Sequence, residues 1–308
     1  MRSYRRILSA ALIAAAAAGA FAQEKEKPDA ATPKAEAPPE MAETGPEPFR
    51  PPEGSIIINL PSAEVNPLRN LQLHFTHRFS EPLNDSNFHD LFSFDSGADV
   101  GIGLSYVPVK DLEVGFLRYR SLEDWETWAK YRFLSASQGA SPVDAALRVG
   151  GNFRAAKTPD ICEESPRPPG CSFADHKNSF FAQAIAGITF FGRVRVTVVP
   201  TYITYSAQQP FVVTESVHSD VFNVPFAVAI AVTHSINIQA EVVPRRSSAQ
   251  AGGVGYITAI EKTLLRHRFA FTIGNIRPTT VDQYIGPDFR GQPNNYYIGF
   301  NLTRLWKL

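Results

Sequence analysis

The sequence predicts an all-β protein: a transmembrane, antiparallel, up-and-down β-barrel of twelve strands. Three observations predict this fold. Segments of about ten residues alternate apolar and polar side chains, their connections are alternately short and long, and the chain ends on an amphipathic strand. Successive side chains of a strand point to opposite faces, and short turns at one rim with long loops at the other are typical of membrane barrels.

The N-terminus has the three parts of a secretory signal peptide. A basic start, Arg2-Ser3-Tyr4-Arg5-Arg6, precedes an apolar run over residues 7–21, and Ala20-Phe21-Ala22 is a small-x-small cleavage site. The run is shorter than the roughly 20 apolar residues that a membrane-spanning helix needs. We therefore expect residues 1–22 to be a cleavable signal peptide and the mature protein to be exported.

Two segments precede the predicted strands. Residues 23–53 contain eight prolines, many Ala and Glu residues and no periodic apolar pattern, a composition that cannot bury enough apolar surface to fold. We predict a disordered periplasmic linker there, either a plain spacer or a partner-binding arm. Residues 54–65 are apolar and broken by Pro61, which predicts a short strand or a segment tucked into the barrel mouth. The barrel domain is expected to cover residues 54–308.

Twelve segments alternate with a period of two between turn signals. They are Leu71–Phe79, Asp99–Val107, Leu112–Tyr119, Trp125–Phe133, Val143–Arg154, Ser179–Phe190, Val194–Tyr205, Val221–Thr233, Ile236–Val243, Val254–Glu261, Arg268–Asn275 and Tyr296–Trp306. The connections after the second, sixth, eighth and tenth segments are short, whereas those after the first, fifth, seventh and eleventh are long. This pattern predicts periplasmic turns, external loops and two periplasmic termini. Pro200 and Pro225 each remove a ladder donor, so we expect bulges or displaced strand ends there.

The last segment gives the chain an almost wholly apolar final face. Its members are Tyr296, Ile298, Phe300, Leu302, Trp306 and Leu308, interrupted only by Arg304. We expect this strand to pair with Leu71–Phe79 as the closing seam and to be the segment that the barrel-assembly machinery binds. Arg304 should lie near the rim, or across a bulge that turns it inward. A secreted soluble β-sandwich also alternates, but strand length, loop lengths and this terminal strand favour the barrel.

Three short sequences carry a resemblance to a known family. Asn59-Leu60-Pro61-Ser62, Phe75-Thr76-His77-Arg78-Phe79 and Leu91-Phe92-Ser93-Phe94-Asp95-Ser96-Gly97-Ala98-Asp99 are similar to a bacterial family of β-barrel domains of unknown function. Ile102–Tyr106 and Lys130–Phe133 fit the same pattern, and the resemblance spans roughly residues 56–308. It implies an outer-membrane-type barrel and transfers no substrate or catalytic residue.

If the apolar faces point outward, the polar faces line the lumen, and arginine is abundant among them. The candidate lumen residues are Arg78, Glu126, Lys130, Arg132, Asp144, Arg148, Arg154, Arg193, Arg195, Glu241 and Arg268. Such side chains could line a narrow channel or transporter for small solutes and favour anionic ones. They could equally form ion-pair ladders in a filled, non-conducting structural or adhesive barrel, since small barrels fill their lumen with side chains.

The remaining signals exclude some classes of function. Cleavage of the signal would remove three Arg and no acidic residue, so 27 basic against 30 acidic groups would leave a net charge of about −3, and nucleic acid is not an expected partner. Cys162 and Cys171 are an even, close pair, which in an oxidising compartment predicts a disulfide; the alternative, a two-Cys metal site, has no nearby ligand except His176. His74 and His77 fall on opposite strand faces, and no metal or other cofactor is expected. A membrane-embedded hydrolase lacks a local serine signature, so no enzyme activity is predicted; outer-membrane lipid is the expected surround.

Overall fold

The computed structural model describes residues 54–120, 123–136, 142–155, 178–204, 220–244, 254–285 and 295–308. Within these ranges, fourteen strand segments form one antiparallel sheet. They are β1 Asn70–Phe79, β2 Ala98–Val109, β3 Leu112–Tyr119, β4 Asp124–Leu134, β5 Val143–Arg154, β6 Asn178–Phe190, β7 Val194–Val198, β8 Thr201–Ile203, β9 Val221–Asn223, β10 Phe226–Thr233, β11 Ile236–Val243, β12 Gly255–Leu264, β13 His267–Gly274 and β14 Tyr297–Lys307. A single-turn helix, α1, covers Val281–Tyr284. The predicted signal peptide, linker and disulfide lie outside the described residues.

The sheet closes into a barrel. From β1 to β6 and from β10 to β14 each strand pairs with its sequence neighbours. Between them β6 pairs with both β7 and β8, β7 pairs with β10, and β8 pairs with β9. The pairing of β14 with β1 completes the ring. The closing register runs without a shift from Asn70 opposite Lys307 to Arg78 opposite Gly299. The predicted seam between the first and last strands is therefore confirmed.

Two prolines divide two of the barrel's strands into shorter segments. Pro200 separates β7 from β8, and Pro225 separates β9 from β10. The breaks lie side by side and remain connected, because the Val199 amide donates to the Pro225 carbonyl at 2.8 Å and the Ala184 amide to the Pro200 carbonyl at 2.9 Å. Fourteen segments minus these two divisions give twelve strands around the barrel, as predicted.

The two rims differ in the length of their connections. One rim carries short turns, at residues 110–111, 191–193, 234–235 and 265–266. The first and last strands begin and end at this rim, since Asn70 is paired with Lys307. The opposite rim carries the longer connections, such as residues 80–97 between β1 and β2 and residues 275–296 between β13 and β14. The alternation of turns and loops agrees with the sequence prediction.

Polar side chains face the lumen and apolar side chains face outward. On β1, for example, Gln72, Thr76 and Arg78 are buried, whereas the alternate positions are only partly so. Exposed apolar residues occur on the outward face of most strands: Ile102, Phe116, Trp125, Tyr131, Leu147, Phe180, Phe222, Ile238, Ile260 and Phe269. This is the reverse of a soluble sandwich, which packs apolar faces together, and it is the arrangement that a lipid surround requires. No helix in the described ranges is long and apolar enough to cross a membrane.

Arg304 interrupts the apolar face of β14 near the turn rim. It lies opposite His267, the first residue of β13, in a ladder without a bulge. Its guanidinium carbon lies 5.1 Å from the centroid of the Trp306 ring, a cation–π distance. The expected rim position is confirmed, and the charge stays on the outward side.

A closed ladder predicts heat-dependent gel mobility. The chain folded in detergent should migrate differently before and after boiling, because a closed barrel resists SDS until it is heated. Deleting Tyr297–Leu308 removes β14 and leaves β1 and β13 without their shared partner, so the shift should disappear. Lys307→Ala, a change at the exposed end of the same strand, should keep it. A truncated chain that still shows the shift would contradict closure through β1 and β14.

Candidate functional site

The barrel interior contains a folded piece of the chain itself. Residues 54–65, which we call the lumen hairpin, turn back on themselves through a bridge between Ile56 and Pro61. The Ser62 amide donates to the Ser55 carbonyl at 3.1 Å. Ile58, Leu60 and Ala63 are fully buried. Of the two predicted placements, a strand or a segment in the mouth, the structure shows a hairpin seated inside the barrel.

The tip of the lumen hairpin is held by one carboxylate of the wall. Glu241 on β11 is buried, and its Oε1 accepts from the amides of Ile58 at 2.7 Å and Leu60 at 2.9 Å. The Asn59 amide donates to both carboxylate oxygens, at 2.9 and 3.1 Å. Three successive backbone donors thus surround one anion, which is the geometry of an anion-binding nest. A protein carboxylate, rather than a ligand, fills this nest.

The base of the lumen hairpin is held by a wall cation. Lys130 on β4 is buried, and its Nζ donates to the carbonyls of Glu64 at 2.6 Å, Ser55 at 3.1 Å and Ser62 at 3.4 Å. Its nearest carboxylate, Glu113 on β3, lies 3.7 Å away. The lysine therefore satisfies backbone acceptors at the open end of the hairpin, as Glu241 satisfies donors at the tip.

Glu64, at the end of the lumen hairpin, joins two arginines of the wall. Its carboxylate lies 2.8 Å from Arg132 and 3.6 Å from Arg195. Each arginine also has a wall carboxylate: Arg132 contacts Asp111 at 2.5 Å, and Arg195 contacts Asp144 at 3.0 Å. Because Asp111 lies in the β2–β3 turn, this cluster marks the turn rim as the side from which the hairpin enters.

Arg78 connects the hairpin tip with the closing seam. Its Nη2 donates to Asn59 Oδ1 at 3.1 Å and its Nη1 to Asn301 Oδ1 at 2.8 Å. The Asn301 amide group in turn donates to the Ile58 carbonyl at 2.8 Å. The first two sequences that carried the family resemblance, around Asn59 and around Arg78, therefore meet here. They encode the contact between the hairpin and the wall.

The long-loop rim is filled by a second segment, residues 275–285, which we call the lumen loop. Within it Val281, Asp282, Tyr284 and Ile285 are almost completely buried. Asp282 accepts from Arg154 on β5 at 2.7 Å. The Val281 amide donates at 2.6 Å to Glu126 of β4. The lumen loop is thus bound to the wall through charged side chains, as the lumen hairpin is.

The middle of the lumen combines an ion pair with an apolar layer. Arg148 Nη2 contacts Glu126 at 2.5 Å, and its guanidinium carbon lies 4.7 Å from the Trp128 ring centroid and 4.9 Å from that of Phe181. Apolar residues of the hairpin, the loop and the wall pack in one cluster around it. A cavity of about 20 Å³ remains between hairpin and loop, which is room for about one water molecule.

Most of the lumen residues predicted from alternation lie where they were expected. Ten of the eleven face the lumen, and nearly all are buried there: Arg78, Glu126, Lys130, Arg132, Asp144, Arg148, Arg154, Arg195, Glu241 and Arg268. Arg193 corrects the set: it lies in the turn at 191–193 with an exposed side chain, because β6 ends at Phe190 and the alternation does not extend through a turn.

Five acidic partners of these residues were missed. Glu113 and Glu261 lie at lumen-facing positions of their strands, and Arg268 Nη2 contacts the two carboxylate oxygens of Glu261 at 2.9 and 2.7 Å, so alternation could have found both acids. Asp111 lies in a turn, and Glu64 and Asp282 lie in non-periodic segments, where alternation gives no signal. His74 faces the lumen and His77 the outside, as expected. The described residues contain no group of three or more potential metal ligands.

Glu241→Gln tests the hold on the hairpin tip. An amide has one acceptor oxygen and no charge, so it cannot satisfy three backbone donors equally, and about 1–3 kcal/mol of hairpin stability should be lost. Hydrogen exchange of the amides of residues 58–60 should accelerate at least fivefold. Glu123→Gln, an exposed acidic residue at the long-loop rim, is the matched control and should leave exchange unchanged. Equal protection in both variants would show that Glu241 does not hold the tip.

Comparison with solved structures returns membrane barrels. An outer membrane channel from Pseudomonas putida F1 aligns at 12% identity with a TM-score of 0.48, covering 79% of this chain and 98% of that one. The NanC porin aligns at 6% identity with a TM-score of 0.45, covering 78% and 100%. A calcium-bound outer membrane phospholipase dimer from Salmonella typhi aligns at 12% identity with a TM-score of 0.40, covering 78% and 94%.

Comparison with sequence families gives a match over the whole barrel. No curated protein sequence matches the chain. The model of the membrane bound beta barrel domain family (DUF5777), however, matches residues 53–306, which include the lumen hairpin, the lumen loop and all of the strands except Lys307, the last residue of β14. The chain therefore belongs to the DUF5777 family of membrane-bound β-barrel domains.

Proposed function

We propose that this protein is a bacterial outer-membrane barrel that forms a narrow, gated passage for small solutes, and that the lumen hairpin is its gate. The observation that carries the proposal is the seat of the hairpin: a short segment near the start of the barrel domain fills the lumen through polar contacts with the wall. When the hairpin leaves, water can replace these polar contacts, whereas a wall of apolar side chains could not open without exposing them to water.

The two rims support an orientation for the gate. In bacterial barrels short turns face the periplasm, so the turn rim, with both barrel ends and the Glu64 cluster, is placed on that side. The hairpin then enters from the periplasm and the lumen loop from outside. Export by the predicted signal peptide, lipid around the outward face and assembly through β14 complete this proposal.

The wall behind the hairpin is suited to water. Beside apolar wall residues such as Leu117 and Trp128, the wall presents many polar or charged side chains where the hairpin now lies: Gln72, Arg78, Glu113, Lys130, Arg132, Glu241 and Asn301. A permanently filled barrel could bury apolar side chains at such positions at lower desolvation cost. A polar wall around a removable segment is what a narrow aqueous path requires.

A non-conducting barrel is the second candidate, and one observation favours it. Wall ion pairs such as Arg148 with Glu126 and Arg268 with Glu261 join adjacent strands and could serve only to hold the barrel together. The two candidates differ in the intact chain, because a gate leaves the lumen and returns, whereas a structural filler stays in place.

Deleting residues 54–65 should open the barrel. In planar bilayers the intact chain should give rare conductance steps, and the deletion variant should give frequent, discrete ones, because the lumen loop alone then narrows the path. The deletion removes partners of buried wall charges, so folding is checked by heat-dependent gel mobility. Deleting residues 23–34, within the predicted linker, is the control of equal length. A folded hairpin-deletion barrel without conductance steps would refute the gated passage and favour the structural barrel.

Opening should also change the charge that lines the path at the turn rim. In the closed state Glu64 lies beside Arg132 and Arg195, and each arginine also contacts one wall carboxylate, Asp111 or Asp144. Withdrawing the hairpin removes Glu64, so two cations against three anions become two cations against two anions. The cluster thereby loses one negative charge and becomes more favourable to anions, which arginines lining a pore attract.

The reversal potential of the hairpin-deletion barrel in a KCl gradient should therefore depend on Arg132 and Arg195. Replacing Arg132 and Arg195 together by Gln should shift it toward potassium, because two cations leave the path while Asp111 and Asp144 remain. Arg266→Gln, at the turn between β12 and β13, is the control and should leave the potential unchanged. A potential indifferent to the double replacement would contradict the assignment of selectivity to these arginines.

A further inference from the structure

The connection between β1 and β2, residues 80–97, holds a cluster of exposed aromatic side chains at the long-loop rim. We call it the aromatic loop. It contains a 3-10 turn, Phe88–Asp90, that begins with a capping box between Asn87 and Asp90. The next residues Leu91, Phe92 and Ser93 have φ angles of 50°, 54° and 77°. Non-glycine residues with such φ angles are uncommon and cost free energy, so the surrounding contacts must hold this shape.

One buried hydroxyl anchors the shape. Ser93 is fully buried, and its Oγ donates to the Glu81 carbonyl at 2.6 Å. With this residue turned inward, the large apolar side chains around it turn outward. Phe88 is 74% exposed, Leu91 55%, Phe92 53% and Phe94 52%. Four large apolar side chains within seven residues are thus exposed. An apolar patch of this kind is unfavourable in water and marks an interaction site.

The aromatic loop is continuous with the outward face of the barrel. The Phe94 ring packs edge-on against Phe79 at 5.2 Å, and Phe79 against His77 at 4.6 Å. His77 stacks on Phe300 at 4.8 Å, and Phe300 lies 5.8 Å from Phe269. These four strand residues all point away from the lumen. The row of rings therefore runs across β13, β14 and β1 and ends in the loop.

The loop also crosses the closing seam. The Leu83 amide donates to the Tyr296 carbonyl at 2.7 Å, and the Tyr296 amide donates to Asn84 Oδ1 at 3.2 Å. Residues that come after β1 are thereby tied to the residue that precedes β14. The loop is consequently fixed at the rim beside the seam, with the Phe94 ring against the outward-facing Phe79.

We propose that the aromatic loop is a lipid-binding element, which inserts Phe88, Leu91, Phe92 and Phe94 among the acyl chains just below the headgroups of the outer leaflet. Lipid is the occupant that fits, because the cluster extends a face that already lies in the bilayer. Aromatic rings favour the membrane–water interface. Insertion would hold the first and last strands together at the rim where the seam ends. This proposal does not depend on the gate.

Tryptophan fluorescence in vesicles tests the proposal with controls inside the same chain. The background carries Trp125→Phe and Trp306→Phe and keeps Trp128, which is 8% exposed and lies within the lumen. Phe88→Trp or Phe94→Trp is added to this background, and each full-length protein is inserted into phosphatidylcholine vesicles brominated near the headgroup or deep in the acyl chain. The variant that retains Trp125 on the outward face is the positive control.

Shallow bromine should quench the added tryptophan at least twofold more than it quenches the background protein, and aqueous acrylamide should quench it weakly. Strong acrylamide quenching without bromine quenching would place the cluster in water and overturn the proposal. Protection from both quenchers that grows with protein-to-lipid ratio would assign the surface to a second copy and overturn it as well. Because Phe88 is the most exposed of the four, Phe88→Trp gives a result even if Phe94→Trp disturbs the contact with Phe79.

Discussion

The lumen hairpin can lie inside the barrel only because two wall charges satisfy its backbone. Within the closed lumen, unpaired amides and carbonyls would each cost free energy comparable to a lost hydrogen bond. Glu241 takes three amides at the tip, and Lys130 takes three carbonyls at the base. The anion lies where the hairpin presents amide donors, and the cation lies where it presents carbonyl acceptors. The wall therefore binds the backbone of the folded hairpin and not its side chains alone.

This constraint connects the closing seam with the contents of the lumen. Asn301 lies on β14 and Arg78 on β1, and the two side chains bond each other and the hairpin tip. The strands that close the barrel therefore also form part of the seat. At the other rim Asp282 of the lumen loop pairs with Arg154 of the wall. The lumen hairpin and the lumen loop are therefore both held by charged side chains of the wall. Room for about one water molecule remains between them.

Strand positions and the direction of side chains were predictable, since both depend on a local period of two. The interruptions at Pro200 and Pro225 were equally predictable from the missing donor of proline. The prediction from alternation was wrong for Arg193, which lies in the turn after β6 and does not face the lumen. The seat of the hairpin could not be read from the sequence, because Ile58 and Glu241 are 183 residues apart and Arg154 and Asp282 are 128 apart. No local pattern records such pairs, and only the closed barrel brings them together.

The two-ended hold also determines how the proposed gate would open. Releasing the tip alone leaves Glu241 without its three donors, while Lys130 still holds the base and Glu64 still lies against Arg132 and Arg195. If the base alone is released, the tip stays buried in the apolar cluster between hairpin and loop. Each partial step thus exposes buried charges before water has a continuous path to them. In the proposed gate, opening is therefore favoured only when both ends leave together, and we expect it to be closed at rest and to open in one step.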